Sequence, residues 1–168
     1  MKHTENIILI GMPGAGKSTV GVVLAKRLGL RFLDADLIIQ ERSGQLLHEL
    51  IAARGVEGFL QLENDVLCTL ELNGCVLATG GSAAYASEAM AHLRTLGRIV
   101  YLKLSCAEVA ERLGDLTARG VAMRPGQTLP ELYRERVPLY ERYAQLTVDC
   151  DGKSLRQIVL EIASAVTR

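Results

Sequence analysis

The sequence lacks any excess of charge: 19 Lys and Arg balance 19 Asp and Glu. No general attraction to nucleic acid or to a membrane surface is expected from such a balance. A long hydrophobic run is also missing. Met1 to Asn6 is polar, and the apolar stretch after it is far too short for a secretory core or a membrane span, so a cytoplasmic chain is expected. Cysteine is scarce. Cys68, Cys75, Cys106 and Cys150 have neither metal-like spacing nor a nearby histidine, and are expected as small apolar residues in a reducing compartment. His3, His48 and His92 are assigned no role. No internal repeat, low-complexity segment or coiled-coil register stands out, which leaves a monomer as the default. Lysine is rare as well, with 5 Lys against 14 Arg, and from Arg112 to Arg142 there are six Arg and no Lys. Arginine forks match phosphate and carboxylate oxygens. The plainer alternative for this stretch is a solvated Arg-Glu helix face.

What is present fits one domain, residues 1–168, with 49% hydrophobic and 23% charged residues. Short apolar strands are expected at Ile7–Ile10, Arg31–Leu33, Val76–Ala78, Ile99–Leu104 and Leu146–Val148. Helical spacing occupies Lys17–Leu28, Ala35–Ser43, Leu46–Ala53, Val56–Leu72, Ser87–Thr95, Ala107–Leu113, Pro130–Ala144 and Ser154–Val166. This alternation implies an α/β fold: a five-stranded parallel sheet with helices on both faces. Gly29 is the expected stop of the first helix. Ser105 with Glu108 reads as a capping box, and Ser154 as a cap of the same kind.

The most informative segment is Gly11-Met12-Pro13-Gly14-Ala15-Gly16-Lys17-Ser18. It fits G-x-x-x-x-G-K-[ST] and lies between an apolar strand and a helix, the setting that a phosphate-binding loop needs. Glycines let successive backbone N–H groups curl around a phosphate, and the helix N-terminus adds partial positive charge. Gly11, Gly14, Ala15, Gly16, Lys17, Ser18 and Thr19 are the candidate nucleotide-binding set. Lys17 would reach the β- and γ-phosphates, and the Ser18 hydroxyl would ligate Mg²⁺. No Asn/Thr-Lys-x-Asp run is present to read guanine, so ATP is favoured over GTP.

Two further groups follow strands. Asp34 and Asp36 form Asp-x-Asp at the end of the second strand, where open α/β sheets bind ligands. Phosphoryl transfer to an alcohol requires a metal ligand and a group that orients the hydroxyl, and two carboxylates can divide those tasks. The alternative for Asp36 is a helix cap. Thr79-Gly80-Gly81-Ser82 follows the third strand; its paired glycines allow close backbone approach to a ligand, and Ser82 adds a hydroxyl. Residues 114–128, with Gly114, Gly120, Gly126, Arg119 and Arg124, form a long connection that reads as an arginine-bearing lid over the triphosphate.

With these residues in view, the chain resembles the shikimate kinases, within the nucleoside-monophosphate-kinase-like P-loop fold. The likeness runs from about Ile7 to Val148. It rests on Gly11–Ser18, Phe32-Leu33-Asp34-Ala35-Asp36, Gly55 to Phe59 with Glu63, Ala78-Thr79-Gly80-Gly81, and Arg136-Val137-Pro138-Leu139-Tyr140. The resemblance implies ATP-dependent phosphorylation of the shikimate 3-hydroxyl in aromatic amino acid biosynthesis. It places Asp36 on the reacting hydroxyl, Asp34 near Mg²⁺, Gly80 and Gly81 against the acid substrate, Arg136 on its carboxylate and Arg112 on adenine. A lid arginine, Arg119 or Arg124, would touch the phosphates.

This chain departs from the family's pattern at three places. Where the family has Phe-Arg-x-x-Glu, the chain reads Phe59-Leu60-Gln61-Leu62-Glu63, so Leu60 replaces an arginine that shares the substrate carboxylate. One such charge-assisted pair is worth roughly 1.5–3 kcal/mol, or about ten- to a hundredfold in affinity. Glu63 thereby loses a partner. The family's third glycine is Ser82, and the lid's Arg-Pro-Leu-Leu is absent. Two alternatives follow: a related kinase for another hydroxy acid or polyol, with Leu60 packing on it, and a non-catalytic ATP-binding module.

Overall fold

The computed structural model describes residues 5–114 and 120–167. A central strand, β1 (Asn6–Ile10), is followed by α1 (Lys17–Leu28), β2 (Arg31–Asp34), α2 (Ala35–Ser43) and α3 (Leu47–Cys68). Then come β3 (Cys75–Ala78), a short 3-10 turn (Ala83–Tyr85), α4 (Ser87–Leu96) and β4 (Gly97–Lys103). The chain closes with α5 (Cys106–Leu113), α6 (Leu129–Tyr143), β5 (Leu146–Asp149) and α7 (Leu155–Val166). The strands form one parallel sheet in the order β2-β3-β1-β4-β5.

Burial follows this order. Every residue of β1 and β3 is buried, whereas the edge strands β2 and β5 are partly exposed. That is why β1 and β3 read as continuous apolar runs rather than alternating ones. Helices α1 and α7 pack together on one face, and α4 and α6 pack on β4 from the other. Gly21 on α1 is required by this packing: a Cβ there would stand 2.6 Å from the Phe32 ring.

Helix ends show how local chemistry sets the layout. Gly29 ends α1 in the left-handed region, with its N–H donated to the Ala25 carbonyl. Thr128 and Glu131 form a reciprocal capping box at the start of α6, and Ser154 with Gln157 does the same for α7. Ser105 caps α5, but its own N–H donates to Asp151 rather than to Glu108, which instead faces Arg112 at 3.7 Å. The two helices expected on either side of Gly55 abut as α3, broken at Gly55 by a positive φ of 71°. The helix ends at Cys68 rather than Leu72, because the Thr69 hydroxyl donates to the Val66 carbonyl and its backbone turns away.

Chain order decides where a ligand goes. From β1 the chain first fills the β3 side of the sheet and later the β4 side, so a crevice opens over the carboxyl end of β1. The loops after β1, β2 and β3 all end there.

Candidate active site

The loop after β1 holds its shape through glycines. Gly11, Gly14 and Gly16 have φ of 149°, 79° and 90°, values that a side chain resists. A Cβ on Gly11 would stand 2.7 Å from the Leu102 carbonyl oxygen. Gly16 caps α1 with no side-chain bond, which leaves the helix's first N–H groups for an anion. Lys17 is buried, and its ammonium donates to the Gly11 and Met12 carbonyls at 2.8 Å each. Burial, with Arg136 adding to it, lowers its pKa to about 8 against the pull of Asp36, Asp34 and Glu63. Arg112 lies beside the loop, with Nη1 4.0 Å from where a Gly16 Cβ would be.

Asp34, not Asp36, caps α2: its Oδ1 accepts from the N–H groups of Asp36 and Leu37. The residue that ends the strand is the one whose extended backbone aims its carboxylate at the helix's free N–H groups. Oδ2 of Asp34 accepts the Ser18 hydroxyl at 2.7 Å. Asp36 is left free to face the cleft. Burial, reinforced by the Asp34 charge and opposed by Lys17, raises its pKa to about 6.

The Ser18–Asp34 pair is a hydroxyl and a carboxylate oxygen side by side at the loop. Mg²⁺ prefers such oxygens and usually completes its shell with phosphates and water. Among the described residues no group of three His, Cys, Asp or Glu is placed to hold a metal ion by itself, and the oxygens this pair offers at the loop are the protein's candidate share. The residues present therefore fit the ion.

Gly80 and Gly81 separate two kinds of charge. A Cβ on Gly80 would lie 2.7 Å from Asp36 Oδ1 and 2.8 Å from Glu63 Oε2. One on Gly81 would lie 3.0 Å from Arg136 Nη1. Arg136 is 1% exposed. It donates to the Ala122 carbonyl and, at 3.4 Å, to the Tyr85 hydroxyl, and it sits 5.3 Å from the Tyr85 ring centre. Among the described residues no carboxylate comes within 4.0 Å of it. A buried guanidinium without a counter-charge is costly unless a ligand supplies one.

Sequence-predicted residues thus converge on one cleft of about 390 Å³, lined by Gly14, Gly16, Lys17, Ser18, Thr19, Asp36, Gly80, Gly81, Ser82 and Arg136. Three expectations come out differently. Leu60 is turned to a neighbouring cavity of about 480 Å³, with Val56, Gln61 and Asn64, because the cleft side of α3 is taken by Phe59 and Glu63. Arg124 lines that neighbouring cavity too, with its guanidinium 3.8 Å from Glu135. Ser82 lines the cleft, yet its hydroxyl donates to Glu63 Oε1 at 2.7 Å. Arg119 falls outside the described residues.

Glu63 belongs to the family pattern in the sequence but receives no site role from it. It is 1% exposed, and burial raises its pKa to about 7, with the Ser82 hydrogen bond opposing that rise. A signal existed: it is a charge four residues after Phe59 on the buried stripe of α3 that continues to Val66 and Leu67. Tyr85 had no comparable signal, since only the turn before α4 brings it to Arg136.

A glycine loop feeding a helix N-terminus, with a buried lysine and carboxylates at the next strand ends, defines a P-loop phosphotransferase. The sequence profile of the shikimate kinase family matches residues 13–167. A shikimate kinase of Thioalkalivibrio sulfidiphilus is 43% identical, the match covering 97% of this chain and 87% of that one. One from Francisella tularensis subsp. novicida is 37% identical over 98% and 96%. The solved structure of shikimate kinase from Acinetobacter baumannii in complex with shikimate superposes with a TM-score of 0.88 at 32% identity, covering 97% and 93%. The chain belongs to the shikimate kinase family and is an ATP-using kinase.

Proposed function

We propose that this chain transfers the γ-phosphoryl group of ATP to the 3-hydroxyl of shikimate. The observation that carries this reading is Arg136, buried with no carboxylate within 4.0 Å among the described residues, beside Gly81 in the cleft that also holds Asp36 and Lys17. Such a pocket suits a small hydroxy acid: the guanidinium takes the carboxylate and Asp36 takes a hydroxyl.

The substrate hydroxyl oxygen attacks the γ-phosphorus in line. The bond from that phosphorus to the β–γ bridging oxygen breaks, ADP leaves, and the hydroxyl proton passes to Asp36. A pKa raised to about 6 lets Asp36 stay ionised near neutrality and still accept that proton. Lys17 leaves the Gly11 and Met12 carbonyls for the phosphates, whose charge favours its protonated form. The N–H groups of Gly14 to Thr19 cradle the phosphates, Arg112 packs on adenine, and an arginine of the 114–128 lid completes the charge. Mg²⁺, held through Ser18 and Asp34, supplies neutralisation of the phosphate oxygens when bound. The reading includes a cytoplasmic monomer. Among the described residues no helix is long and apolar enough to cross a membrane, and the four cysteines are unpaired.

The test is ADP release from ATP and Mg²⁺, with and without shikimate, beside a panel of other hydroxy acids and polyols. Shikimate-dependent release at ordinary enzymatic rates is expected. A response only to another alcohol would overturn the choice of substrate, and bound ATP with silence across the panel would point to a non-catalytic module.

A further inference from the structure

Ser82 is a polar residue at the edge of the cleft, but it is 5% exposed and its hydroxyl is already spent on Glu63 Oε1 at 2.7 Å. Glu63 Oε2, by contrast, is buried with no partner among the described residues. It lies over Gly80 on the same spot as Asp36 Oδ1, since a single Cβ at Gly80 would meet both oxygens at 2.8 and 2.7 Å. Leu60, one turn earlier on α3, brings no cation to Glu63 from its own helix, and no basic group stands within 4.0 Å of it among the described residues. The neutral hydroxyl is its only hydrogen-bond donor there.

We propose that Ser82 is a positioning residue of the phosphoryl-transfer site. Its hydroxyl anchors Glu63 Oε1 and so presents Oε2 beside Asp36 as a second hydrogen-bond acceptor for the hydroxyls of the alcohol substrate. The proposal rests on the reading of the chain as a kinase of a small hydroxy acid. Its physical basis is that a buried carboxylate retained with one oxygen unpaired costs stability, and a ligand hydroxyl donated to that oxygen removes the cost. Ser82 selects which oxygen faces the cleft. The charged groups around Glu63 are Lys17 from α1, Asp36 from α2 and Arg136 from α6. The two cations favour the ionised form and Asp36 disfavours it, and the Ser82 hydroxyl adds to the cations.

Steady-state kinetics with ATP and shikimate compare the unaltered protein, Ser82→Ala, Glu63→Gln and the double variant from about pH 5.5 to about pH 9. Ser82→Ala is expected to raise the KM for shikimate about tenfold with the KM for ATP unchanged, the loss of one hydrogen bond to a charged group. Removing that hydrogen bond also moves the acidic limb of kcat/KM for shikimate to higher pH. Neither change appears when Ser82→Ala is made in the Glu63→Gln background. Ser82→Cys, a weaker donor of similar size, falls between serine and alanine. An unmoved KM and limb in Ser82→Ala would overturn the proposal, as would an equal effect in the Glu63→Gln background. Thermal unfolding of the ligand-free proteins against pH supplies a substrate-independent arm. Ser82→Ala should shift to higher pH the window in which stability falls, and no shift would overturn the link to Glu63. If shikimate fails as a substrate while that shift is present, the substrate assignment falls and the Ser82–Glu63 coupling stands.

Discussion

The two ends of the sheet treat buried polar groups in opposite ways. At the amino end, Asn6 is 8% exposed and its amide is used in full: Nδ2 donates to the Leu72 and Leu96 carbonyls at 3.1 and 2.8 Å, and Oδ1 accepts from the Cys75 N–H at 3.0 Å. One side chain thereby ties the turns before β3 and β4 to the start of β1. At the carboxyl end, among the described residues, no carboxylate comes within 4.0 Å of Arg136, Glu63 keeps an oxygen unpaired, and the Lys17 ammonium donates to carbonyls of its own loop. The first pattern is what stability favours, since every orphaned buried group costs about 1–3 kcal/mol. The second is tolerated where a ligand completes the set. Neither polar burial nor one unsatisfied group marks a site, since the Tyr101 hydroxyl on β4 is also buried without a partner among the described residues; several incompletely paired charged groups meeting at one cleft do.

Substitutions at the two ends should separate function from stability. Lys17→Ala carries the largest expected effect, a fall in kcat of about a hundred- to a thousandfold, with little change in unfolding midpoint. A large loss of stability in that variant would break the contrast. Asn6→Leu should do the reverse. It strands two carbonyls and one N–H, costing about 3 kcal/mol in denaturant unfolding, while kcat of the folded fraction is unchanged. Arg136→Met is expected to raise the KM for shikimate about a hundredfold or less. It leaves stability equal or improved, because a buried charge with no carboxylate within 4.0 Å among the described residues is replaced by an apolar chain of similar length.

The pH dependence of stability sharpens the same point. Glu63 binds its proton more tightly when folded, with a pKa of about 7 against 4.5 for an unperturbed glutamate. Its contribution is therefore fully present below the unfolded value and is lost as pH rises through the folded one. Asp36, raised from 3.8 to about 6, acts in the same direction. Lys17, lowered from 10.5 to about 8, acts oppositely and only above that value. Ligand-free protein should lose stability between about pH 4.5 and pH 7, and Glu63→Gln should flatten that slope by about 1–3 kcal/mol over the window. Thermal unfolding in a buffer series measures it, and an unchanged slope in the variant would remove Glu63 from the account. The smallest effect is expected at Thr128→Ala, about 1 kcal/mol of stability from the lost cap of α6, with no change in the KM for ATP.

Some of this was open to a reading of the chain alone. The loop from Gly11 to Ser18 is a contiguous string whose backbone conformations follow from its glycines, so its role was legible without a fold. So were the buried strands, the caps at Ser105 and Ser154, and the stop at Gly29, each set by residues a few positions apart. The division of labour between Asp34 and Asp36 was not legible. Either carboxylate can cap a helix on paper, and only the strand's exit direction gives that work to Asp34. Leu60 illustrates the same limit. Its place in the sequence suggested a wall of the substrate pocket, but the rotation of α3 about Phe59 and Glu63 turns it into the neighbouring cavity.

The sequence by itself determined the layered parallel sheet, the phosphate loop and the chemical kind of reaction. These rest on periodicity and on short-range conformational preferences, which survive without knowledge of distant neighbours. Tertiary structure alone decided how the side chains of the acceptor half are paired. Glu63, Ser82, Tyr85 and Arg136 come from separate elements and meet only because the sheet order brings the ends of β3, α3 and α6 to one crevice. Whether a buried charge there has a partner is a property of three-dimensional packing.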